Sequence, residues 1–450
     1  MNIPKLSIDI GSSTINTIIA TTDDSGDIKV LGRGVAQTQG IKNGEVVNID
    51  YLSESINSAV RGAKAKTNEK IDKAVVSVSG SYIKTMRGSG TIIVQTGQVN
   101  NKDIKKVLDV AHHNANIIPE YVMIHLLPIR YKIDDIEMET PLNMTGSRLE
   151  VDASIIVAKK SVLMNIENSL KNCGLSVENY VLSSYASSLS SATKEQKSNG
   201  CCLIDIGAGS IDMVIIHNNA VLYNMFLPIG SNHITTDLSE MLNTHQVAAE
   251  MVKNQYATLL PYDEDSNIKD GEIEIPGSKT SDESHTVTKK HIQMIVHARV
   301  EEMLILAKQQ ISKSEMGRYI KSGIVLSGGI CKIEGIVNFA KKVFELYDVN
   351  VGKTNKIIDN EFIDFNDSAN ATLIGLLYYS LNKTYIFELD SKKELKSNSG
   401  KTDKLEMQKI QKLENVNLSK SNNHGDISIK NKPKNDKLTN KFKSVVKGWW

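Results

Sequence analysis

Apolar and polar residues follow one another in a pattern that occurs twice along the chain. Apolar runs at residues 6–10 and 201–206 each lead into a short polar turn, and a second β-like run follows each turn, at residues 15–20 and 211–216. A further turn and a third β-like run, at residues 28–31 and 220–227, complete each copy. Strand, tight turn, strand, turn and strand predict an antiparallel meander. Its repetition after 196 residues predicts two homologous lobes.

The segments around the two meanders carry periodicities of their own. Turn-spaced apolar residues predict helices at 51–65, 103–114, 161–173, 235–242, 247–259, 291–312 and 333–346. Apolar β-like runs predict strands at 73–79, 121–131, 148–158 and 324–326. Residues 86–159 interrupt the first lobe, so we predict that they form an inserted subdomain.

The charge of the chain is balanced in total but unevenly divided. The 450 residues carry a net charge of +1, whereas residues 391–450 contain 15 lysines, no arginine and 6 acidic residues. The first 390 residues therefore have a net charge of −8. The balanced total argues against a nucleic-acid coat protein and a wholly disordered chain, so we expect no nucleic-acid partner. Lysine, asparagine, serine and aspartate dominate residues 386–437, which predicts a flexible linker.

Cysteine usage and hydropathy suggest a compartment. The four cysteines form no CxxC pair, so they are expected to act as small core side chains in a reducing environment. The first residues lack the apolar run of a signal peptide, and no window of 18 apolar residues is present. We therefore expect a cytoplasmic chain with a soluble body.

The last thirteen residues, 438–450, differ from everything before them. On a helical projection six apolar side chains fall within an arc of about 140°. They are Leu438, Phe442, Val445, Val446, Trp449 and Trp450, whereas Lys441, Lys443 and Lys447 lie outside the arc. Tryptophan favours the headgroup region of a membrane and lysine favours anionic lipid. We predict an amphipathic helix that binds an anionic membrane surface; docking of this helix on the body is the alternative.

The first polar turn of each meander has the composition of a phosphate-binding hairpin. Small residues let successive backbone N–H groups approach an anion, and hydroxyl side chains add donors. The candidates are Gly11, Ser12, Ser13 and Thr14 in the first hairpin and Gly207, Ala208, Gly209 and Ser210 in the second hairpin. A single hairpin of this kind is more often a tight turn without a ligand, but the duplication favours a polyphosphate held from both sides. Asp9 and Asp205 would then face Mg²⁺ through water.

Two further elements favour a nucleotide. Gly328 and Gly329 follow a buried strand, where they allow a flat ring to lie against the backbone. Glu250 and Lys253 are three residues apart on a predicted helix and share a face. They could reach the ribose and the base. The alternatives are an ordinary strand-to-helix turn and a surface ion pair of little energetic weight.

The order of these elements resembles the actin and sugar-kinase ATPase superfamily, and within it the FtsA family of bacterial cell-division proteins. The stretches that carry the resemblance are residues 6–14, 75–80, 202–212, 228–232, 249–253, 324–330 and 334–335. It implies an α/β, actin-like two-lobed ATPase fold with an inserted subdomain in the first lobe, then a flexible linker and a C-terminal amphipathic helix. It also implies ATP and Mg²⁺ as cofactors, self-assembly into filaments, and binding of the tubulin-like division protein FtsZ.

The resemblance also implies a domain plan and a location. The first-lobe core would be residues 5–85 and 160–195, with residues 86–159 inserted. The second-lobe core would be 196–231 and 289–385, with an outer subdomain at 232–288, a linker at 386–437 and the membrane-binding helix at 438–450. The protein would lie peripherally on the cytoplasmic face of the cell membrane at the division site. Later division proteins would bind through the inserted subdomain.

Two positions depart from the family pattern. A Glu-Pro-Arg sequence commonly opens the long helix, whereas here His297 and Ala298 precede Arg299, which leaves the role of Arg299 open. Residues 183–188 hold no carboxylate where sugar kinases and chaperone ATPases activate water or a hydroxyl. We therefore assign no catalytic residue and expect at most slow ATP hydrolysis. A small-molecule kinase and an actin-like pilus-assembly or shape protein are the alternatives to a division protein that tethers FtsZ filaments to the membrane.

Overall fold

The computed structural model of the protein describes residues 3–23, 27–67, 69–261, 271–277, 284–354, 360–381 and 387–396. The linker predicted beyond residue 396 and the amphipathic helix predicted at 438–450 lie outside the described residues. Among the helices within these ranges, none is long and apolar enough to cross a membrane.

The helices and strands occupy most of the ranges that the sequence pattern predicts. The first segment comprises β1 (Lys5–Ile10), β2 (Thr14–Thr22), β3 (Ile28–Gln37), β4 (Ile41–Lys42), β5 (Glu45–Val46), α1 (Ile49–Lys64) and β6 (Lys73–Val78). The inserted segment comprises β7 (Ile83–Ile93), α2 (Asn101–Asn114), β8 (Tyr121–Ile133), β9 (Ile136–Met138) and β10 (Arg148–Lys159).

The chain then returns to the first lobe and enters the second. These elements are α3 (Lys160–Asn172), β11 (Ser176–Leu182), α4 (Ser183–Ser191), α5 (Lys194–Asn199), β12 (Cys201–Ile206), β13 (Ile211–His217), β14 (Ala220–Leu227), α6 (Ser231–Met241) and α7 (Gln246–Tyr256). They are followed by β15 (Glu272–Ile275), β16 (His285–Thr288), α8 (Lys289–Lys313), β17 (Ile324–Ser327), α9 (Ile336–Phe344), β18 (Val349–Val351), α10 (Ala371–Ser380), β19 (Glu388–Leu389) and β20 (Leu395–Lys396).

Each predicted meander is the centre of a five-stranded sheet, and the two sheets share one plan. The first has the strand order β11-β6-β1-β2-β3 and the second has the order β14-β13-β12-β17-β18. In both, three antiparallel strands are extended by two parallel ones. The registers also correspond, because Asp9 pairs with Asn16 in the first sheet and Asp205 pairs with Asp212 in the second. The prediction of two related α/β lobes is therefore confirmed.

Helix α1 covers one face of the first sheet at short distance. Asn48 caps its start by accepting a hydrogen bond from the backbone N of Tyr51. A Cβ atom on Gly34 of β3 would lie 1.8 Å from the carbonyl oxygen of Ala59, so glycine is required for this approach. The apolar face of α1 is thereby buried against the core of the first lobe.

The inserted subdomain has a sheet of its own. Its order is β20-β19-β8-β10-β7, and β9 pairs with β8. Helix α2 packs on this sheet, where a Cβ on Gly90 would lie 2.3 Å from the carbonyl oxygen of Val107. Asn100 and Asp103 form a reciprocal capping box at the start of α2. The predicted segment 86–159 thus lies within a folded unit that has a separate apolar core.

Two boundaries of the predicted domain plan are wrong. Residues 360–381 were assigned to the second lobe, but Phe365 and α10 pack on the first-lobe sheet beside Ile18 and Val30. The linker was predicted to begin at residue 386, whereas residues 387–396 form β19 and β20 on the sheet of the inserted subdomain. We call residues 387–396 the C-terminal strap. Its polar composition resembles that of a linker, but its apolar Leu389 is fully buried.

The C-terminal strap is fixed by a buried polar cluster. Glu388 and His125 are both fully buried, and the Nδ1 atom of His125 lies 2.8 Å from a Glu388 carboxylate oxygen. The hydroxyls of Tyr185 and Tyr379 each donate to Glu388 at 2.9 Å. The backbone N of Leu182 donates to Nε2 of His125 at 3.1 Å, so the imidazole proton resides on Nδ1. Glu388 therefore accepts three hydrogen bonds, from the inserted subdomain, α4 and α10.

Candidate functional site

The two predicted hairpins form the same turn and meet across a cleft between the lobes. The backbone N of Gly11 donates to the carbonyl oxygen of Thr14 at 3.1 Å, and Gly207 donates to Ser210 at 2.9 Å. A Cβ on Gly209 would lie 2.8 Å from the Cβ of Ser12, so the tips of the hairpins are in contact. A turn that pairs a short polar stretch with its own strand leaves the intervening N–H groups available to an anion.

The hairpins line a cavity of about 490 Å³. Most of the predicted site residues face it: Asp9, Gly11, Ser12, Ser13, Thr14, Asp205, Gly207, Ala208, Ser210, Glu250, Gly328 and Gly329. Gly209 touches Ser12 at the rim, and Lys253 lies behind Glu250. The structure therefore brings together residues that are more than 300 positions apart in the sequence.

Asp9 and Asp205 occupy equivalent positions at the ends of β1 and β12. The hydroxyl of Ser77 donates to Asp9 at 2.8 Å, and the hydroxyls of Ser187 and Thr372 donate to Asp205. Burial raises the pKa of Asp9 to about 6, the Ser77 hydrogen bond opposes the rise, and the negative charge of Asp205 adds to it. Burial likewise raises the pKa of Asp205, against the hydrogen bonds it accepts. Both carboxylates thus line one cavity, and the charge of Asp205 acts on Asp9.

A third carboxylate, Asp212, was not among the predicted site residues. It lines the cavity from β13, where Ser210 donates to it at 3.0 Å and Ser79 of the opposite lobe donates to its other oxygen. Burial raises its pKa to about 7 against the Ser79 hydrogen bond. The signal was present in the sequence, because Asp212 is the partner of Asp205 in the same hairpin register that pairs Asp9 with Asn16. Residues 183–188 hold no carboxylate, so that stretch gives no indication of Asp212, and the assignment of no catalytic residue stays a prediction.

Glu250 and Lys253 form a partly buried pair on α7. The Nζ atom of Lys253 lies 2.6 Å from Oε2 of Glu250. Lys253 also donates a hydrogen bond to the hydroxyl of Thr235 on α6 at 2.9 Å. Burial alone would raise the pKa of Glu250, but hydrogen bonds from Lys253 and Thr235 outweigh it and hold the pKa below its usual value. Lys253 is only 8% exposed. The lysine end of the pair is therefore buried, whereas 44% of the Glu250 side chain is exposed.

Gly328 and Gly329 differ in the space that a side chain would have at each position. Gly328 has φ +90°, and a Cβ there would lie 2.4 Å from the carbonyl oxygen of Ile206 and 2.6 Å from Asp205. Gly329 begins a 3₁₀ turn, and nothing lies within 4 Å of the position of its Cβ. Gly328 is thus required for the turn itself, whereas Gly329 leaves an open flat wall on the cavity.

Two further observations concern Arg299, whose role the sequence leaves open, and metal ligands. Arg299 is held by Asp237, which accepts from Nε at 2.5 Å and from Nη2 at 2.7 Å, and by Glu302 at 2.5 Å. Its guanidinium therefore joins α8 to α6 without the glutamate that the family pattern places nearby. Within the described ranges, no three His, Cys, Asp or Glu side chains are grouped as ligands of one metal ion.

Comparison with known proteins identifies the family. The family model "Cell division protein FtsA" matches residues 202–375, and the model "SHS2 domain inserted in FTSA" matches residues 80–157. A cell division protein FtsA of Pseudomonas aeruginosa is 31% identical over 378 residues, which cover 84% of this chain and 89% of that protein. The FtsA of Helicobacter pylori is 29% identical, with 86% of this chain and 84% of that protein covered.

Solved structures show the fold alone. The chain is similar to a PilM-PilN type IV pilus biogenesis complex, with TM-score 0.56, 15% identity, and 84% of this chain and 98% of that chain covered. It is also similar to MreB5 of Spiroplasma citri bound to ADP, with TM-score 0.52, 12% identity, and 84% and 96% covered. These proteins therefore share an actin-like fold. Identities of 31% and 29% over most of both chains are found with the FtsA proteins. The protein belongs to the FtsA family of cell-division proteins.

Proposed function

We propose that this protein is an ATP-binding, actin-like division protein that tethers FtsZ filaments to the cytoplasmic face of the cell membrane and helps to assemble the division machinery. The observation that carries the proposal is the meeting of the two hairpins, one from each lobe, around a cavity lined by Asp9, Asp205 and Asp212. Family membership supports the role in division.

The proposed ligand is ATP with Mg²⁺. The phosphates would lie against the hairpin N–H groups and the hydroxyls of Ser12, Ser13 and Thr14, with Ala208, Gly209 and Ser210 on the opposite side. The nucleoside would lie between Glu250 and the wall at Gly329. That MreB5 of Spiroplasma citri is bound to ADP supports this choice for a protein of similar fold.

The carboxylates fit a hydrated divalent cation. Three acidic side chains face one cavity, and burial raises the pKa of Asp9 to about 6 and that of Asp212 to about 7. When bound, Mg²⁺ would neutralise phosphate charge. Asp9 and Asp205 would hold its water ligands, and Asp212 would accept a proton from a water in the cleft. We accordingly propose a nucleotide-gated switch in which slow hydrolysis depends on Asp212.

The remaining parts of the chain receive roles by family resemblance. Residues 438–450 would bind anionic lipid, with lysines that each contribute about 1 kcal/mol near such a surface. The outer subdomain, residues 232–288, would bind the FtsZ tail, and the inserted subdomain would bind later division proteins. Self-assembly would strengthen membrane attachment by avidity, because one short amphipathic helix is a weak anchor.

The test is co-sedimentation of FtsZ filaments with anionic vesicles in the presence of the full chain and MgATP. Wild type is expected to carry FtsZ into the vesicle pellet, and Trp449→Glu with Trp450→Glu is expected to abolish this while ATP binding persists. The matched control is Asn440→Glu with Ser444→Glu, which adds the same charge outside the apolar arc. If FtsZ sediments equally with the tryptophan variant, the proposed anchor is wrong. If the pellet lacks FtsZ although wild type binds the vesicles, the proposed partner is wrong.

A further inference from the structure

The inserted subdomain begins at the wall of the cleft. Strand β6 of the first lobe ends at Val78, and β7 of the inserted subdomain begins at Ile83. The four residues between them include Ser79, which lines the cavity, and Tyr82, whose side chain is buried. A displacement of Ser79 can therefore be transmitted to the inserted subdomain through only a few residues of backbone.

Ser79 also bridges the cleft. Its hydroxyl donates to Oδ1 of Asp212 on the second lobe, and Oδ2 of the same carboxylate accepts from Ser210 of its own hairpin. One oxygen of Asp212 is thus held by each lobe. Because a hydrogen bond is lost when its donor and acceptor separate beyond about 3.5 Å, the Ser79 bond exists only while the lobes are close.

A second set of contacts joins the inserted subdomain to the second lobe. The hydroxyl of Thr85 on β7 donates to Oδ1 of Asn224 at 2.6 Å, and Nδ2 of Asn224 donates to the carbonyl oxygen of Ile83 at 3.4 Å. Ser154 on β10 donates to the carbonyl oxygen of Val221. Asn224 and Val221 lie on β14, which pairs with the strand that carries Asp212.

These contacts form one connected arrangement. Strand β13 presents Asp212 to Ser79, and β14, bonded along its length to β13, presents Asn224 and Val221 to the sheet of the inserted subdomain. In the register of the hairpin, Asp212 pairs with Phe226 and Val214 pairs with Asn224, so Asp212 and Asn224 belong to residue pairs that are two steps apart. A rotation of the second lobe that opens the cleft would strain all of them together.

We propose that Ser79, Thr85, Ser154 and Asn224 are a latch through which the nucleotide in the cleft sets the position of the inserted subdomain. The inference rests on the proposed function, because it requires a nucleotide in the cleft. A triphosphate contacts both hairpins and holds the lobes together, which keeps the latch closed. A diphosphate lacks the phosphate group that spans the hairpins, so the lobes separate more readily and the inserted subdomain is released. Ser79 is a positioning residue in this scheme, since it acts through Asp212.

Thermodynamic linkage gives the expected size. If a triphosphate favours the closed latch, the closed latch favours the triphosphate by the same factor. Couplings between sites are typically 5- to 150-fold. Breaking the latch should therefore reduce the preference for ATP over ADP by about 5-fold or more.

The experiment compares full-length wild type with Ser79→Ala and Asn224→Ala. Affinities for MgATP and MgADP are measured by calorimetry, and amide hydrogen exchange is followed in peptides from β7 and β14. Ser79→Thr keeps the hydroxyl and is the conservative rescue. Thr91→Ala is the matched control, because Thr91 is an exposed residue of β7 that pairs with Glu150 inside the inserted subdomain.

In wild type, MgATP is expected to slow exchange in β7 relative to MgADP. Ser79→Ala and Asn224→Ala should remove this difference and lower the ATP preference, whereas Ser79→Thr and Thr91→Ala should retain both. The latch is overturned if either alanine variant, shown to be folded by its circular dichroism, keeps the wild-type difference and preference. It is also overturned if wild type binds both nucleotides with identical exchange in β7. Failure of wild type to bind either nucleotide would overturn the proposed function and the latch with it.

Discussion

Replacing Glu388 with alanine should destabilise the protein far more than its position near the end of the folded body suggests. The carboxylate is fully buried and accepts hydrogen bonds from His125, Tyr185 and Tyr379. Because Nε2 of His125 accepts from the backbone of Leu182, the imidazole cannot turn to find another acceptor without giving up that bond. The substitution therefore leaves three buried donors without a partner.

The magnitude follows from these contacts. A buried donor that loses its partner costs about 1–3 kcal/mol, and Glu388→Ala removes the acceptor of three such donors. Since the tyrosine hydroxyls can regain part of their hydrogen bonding from water that enters the space, we expect a loss toward the lower end of that sum, about 3–5 kcal/mol, for Glu388→Ala. Glu388→Gln keeps one acceptor oxygen and should lose less.

The assay is urea unfolding of the full chain, monitored by far-ultraviolet circular dichroism, together with limited proteolysis of the C-terminal strap. Glu394→Ala is the matched control, because Glu394 lies in the same strap and is exposed. Glu388→Ala should shift the unfolding midpoint and expose the strap to protease, whereas Glu394→Ala should do neither. A loss below about 1 kcal/mol for Glu388→Ala, which is less than the cost of one unpaired buried donor, would refute the reasoning.

Four further substitutions test the cleft. Asp205→Ala should weaken MgATP binding more than ATP binding in EDTA, measured by calorimetry; equal losses would remove Asp205 from the cation. Asp212→Asn should reduce the pH dependence of the free energy of unfolding. Burial raises the folded-state pKa of Asp212 to about 7, so in the protein without ligand the stability that this group contributes falls as the pH rises from about 4 to about 7. Thermal melts of wild type and variant across this pH range measure the difference. Gly328→Ala should lower both stability and ATP affinity, because Gly328 has φ +90° and a Cβ there would collide with Ile206. Gly329→Ala should leave stability within about 0.5 kcal/mol of wild type, because the space at its Cβ is open. Equal melting temperatures for the two variants would contradict the view that only Gly328 is required for the turn.

The hairpins were predictable because their signal is local. A strand, a turn of small residues and a second strand are encoded within about 15 residues, and the duplication made the pattern specific. The placement of Gly328 and of the pair Glu250 and Lys253 on the same cavity depended on family resemblance, since nothing in their immediate sequence specifies a partner so distant along the chain. Asp212 was overlooked although its position relative to Asp205 repeats that of Asn16 relative to Asp9.

The C-terminal strap and α10 were misplaced for a different reason. Helix α10 is apolar on nearly all sides, so its sequence predicts burial but not which lobe buries it. The strap combines one buried leucine with lysine, aspartate and serine, and short polar strands of this kind carry no periodicity. Their location is determined by tertiary contacts, above all by the acceptor that Glu388 offers to three donors on separate elements.

The place where the C-terminal strap joins the body decides how mechanical load would travel. About 41 residues separate the strap from the proposed membrane-binding segment, which allows a covalent reach of at most about 140 Å. Any pull on that segment enters the body at β20 and β19, on the sheet of the inserted subdomain, rather than through the second lobe. The backbone pairing there is short, with Leu389 opposite Leu126, so most of the resistance to separation would come from the buried hydrogen bonds around Glu388. If residues 438–450 bind a membrane as proposed, tension on them would be borne first by the joint between the inserted subdomain, α4 and α10, and this joint would separate before the rest of the body.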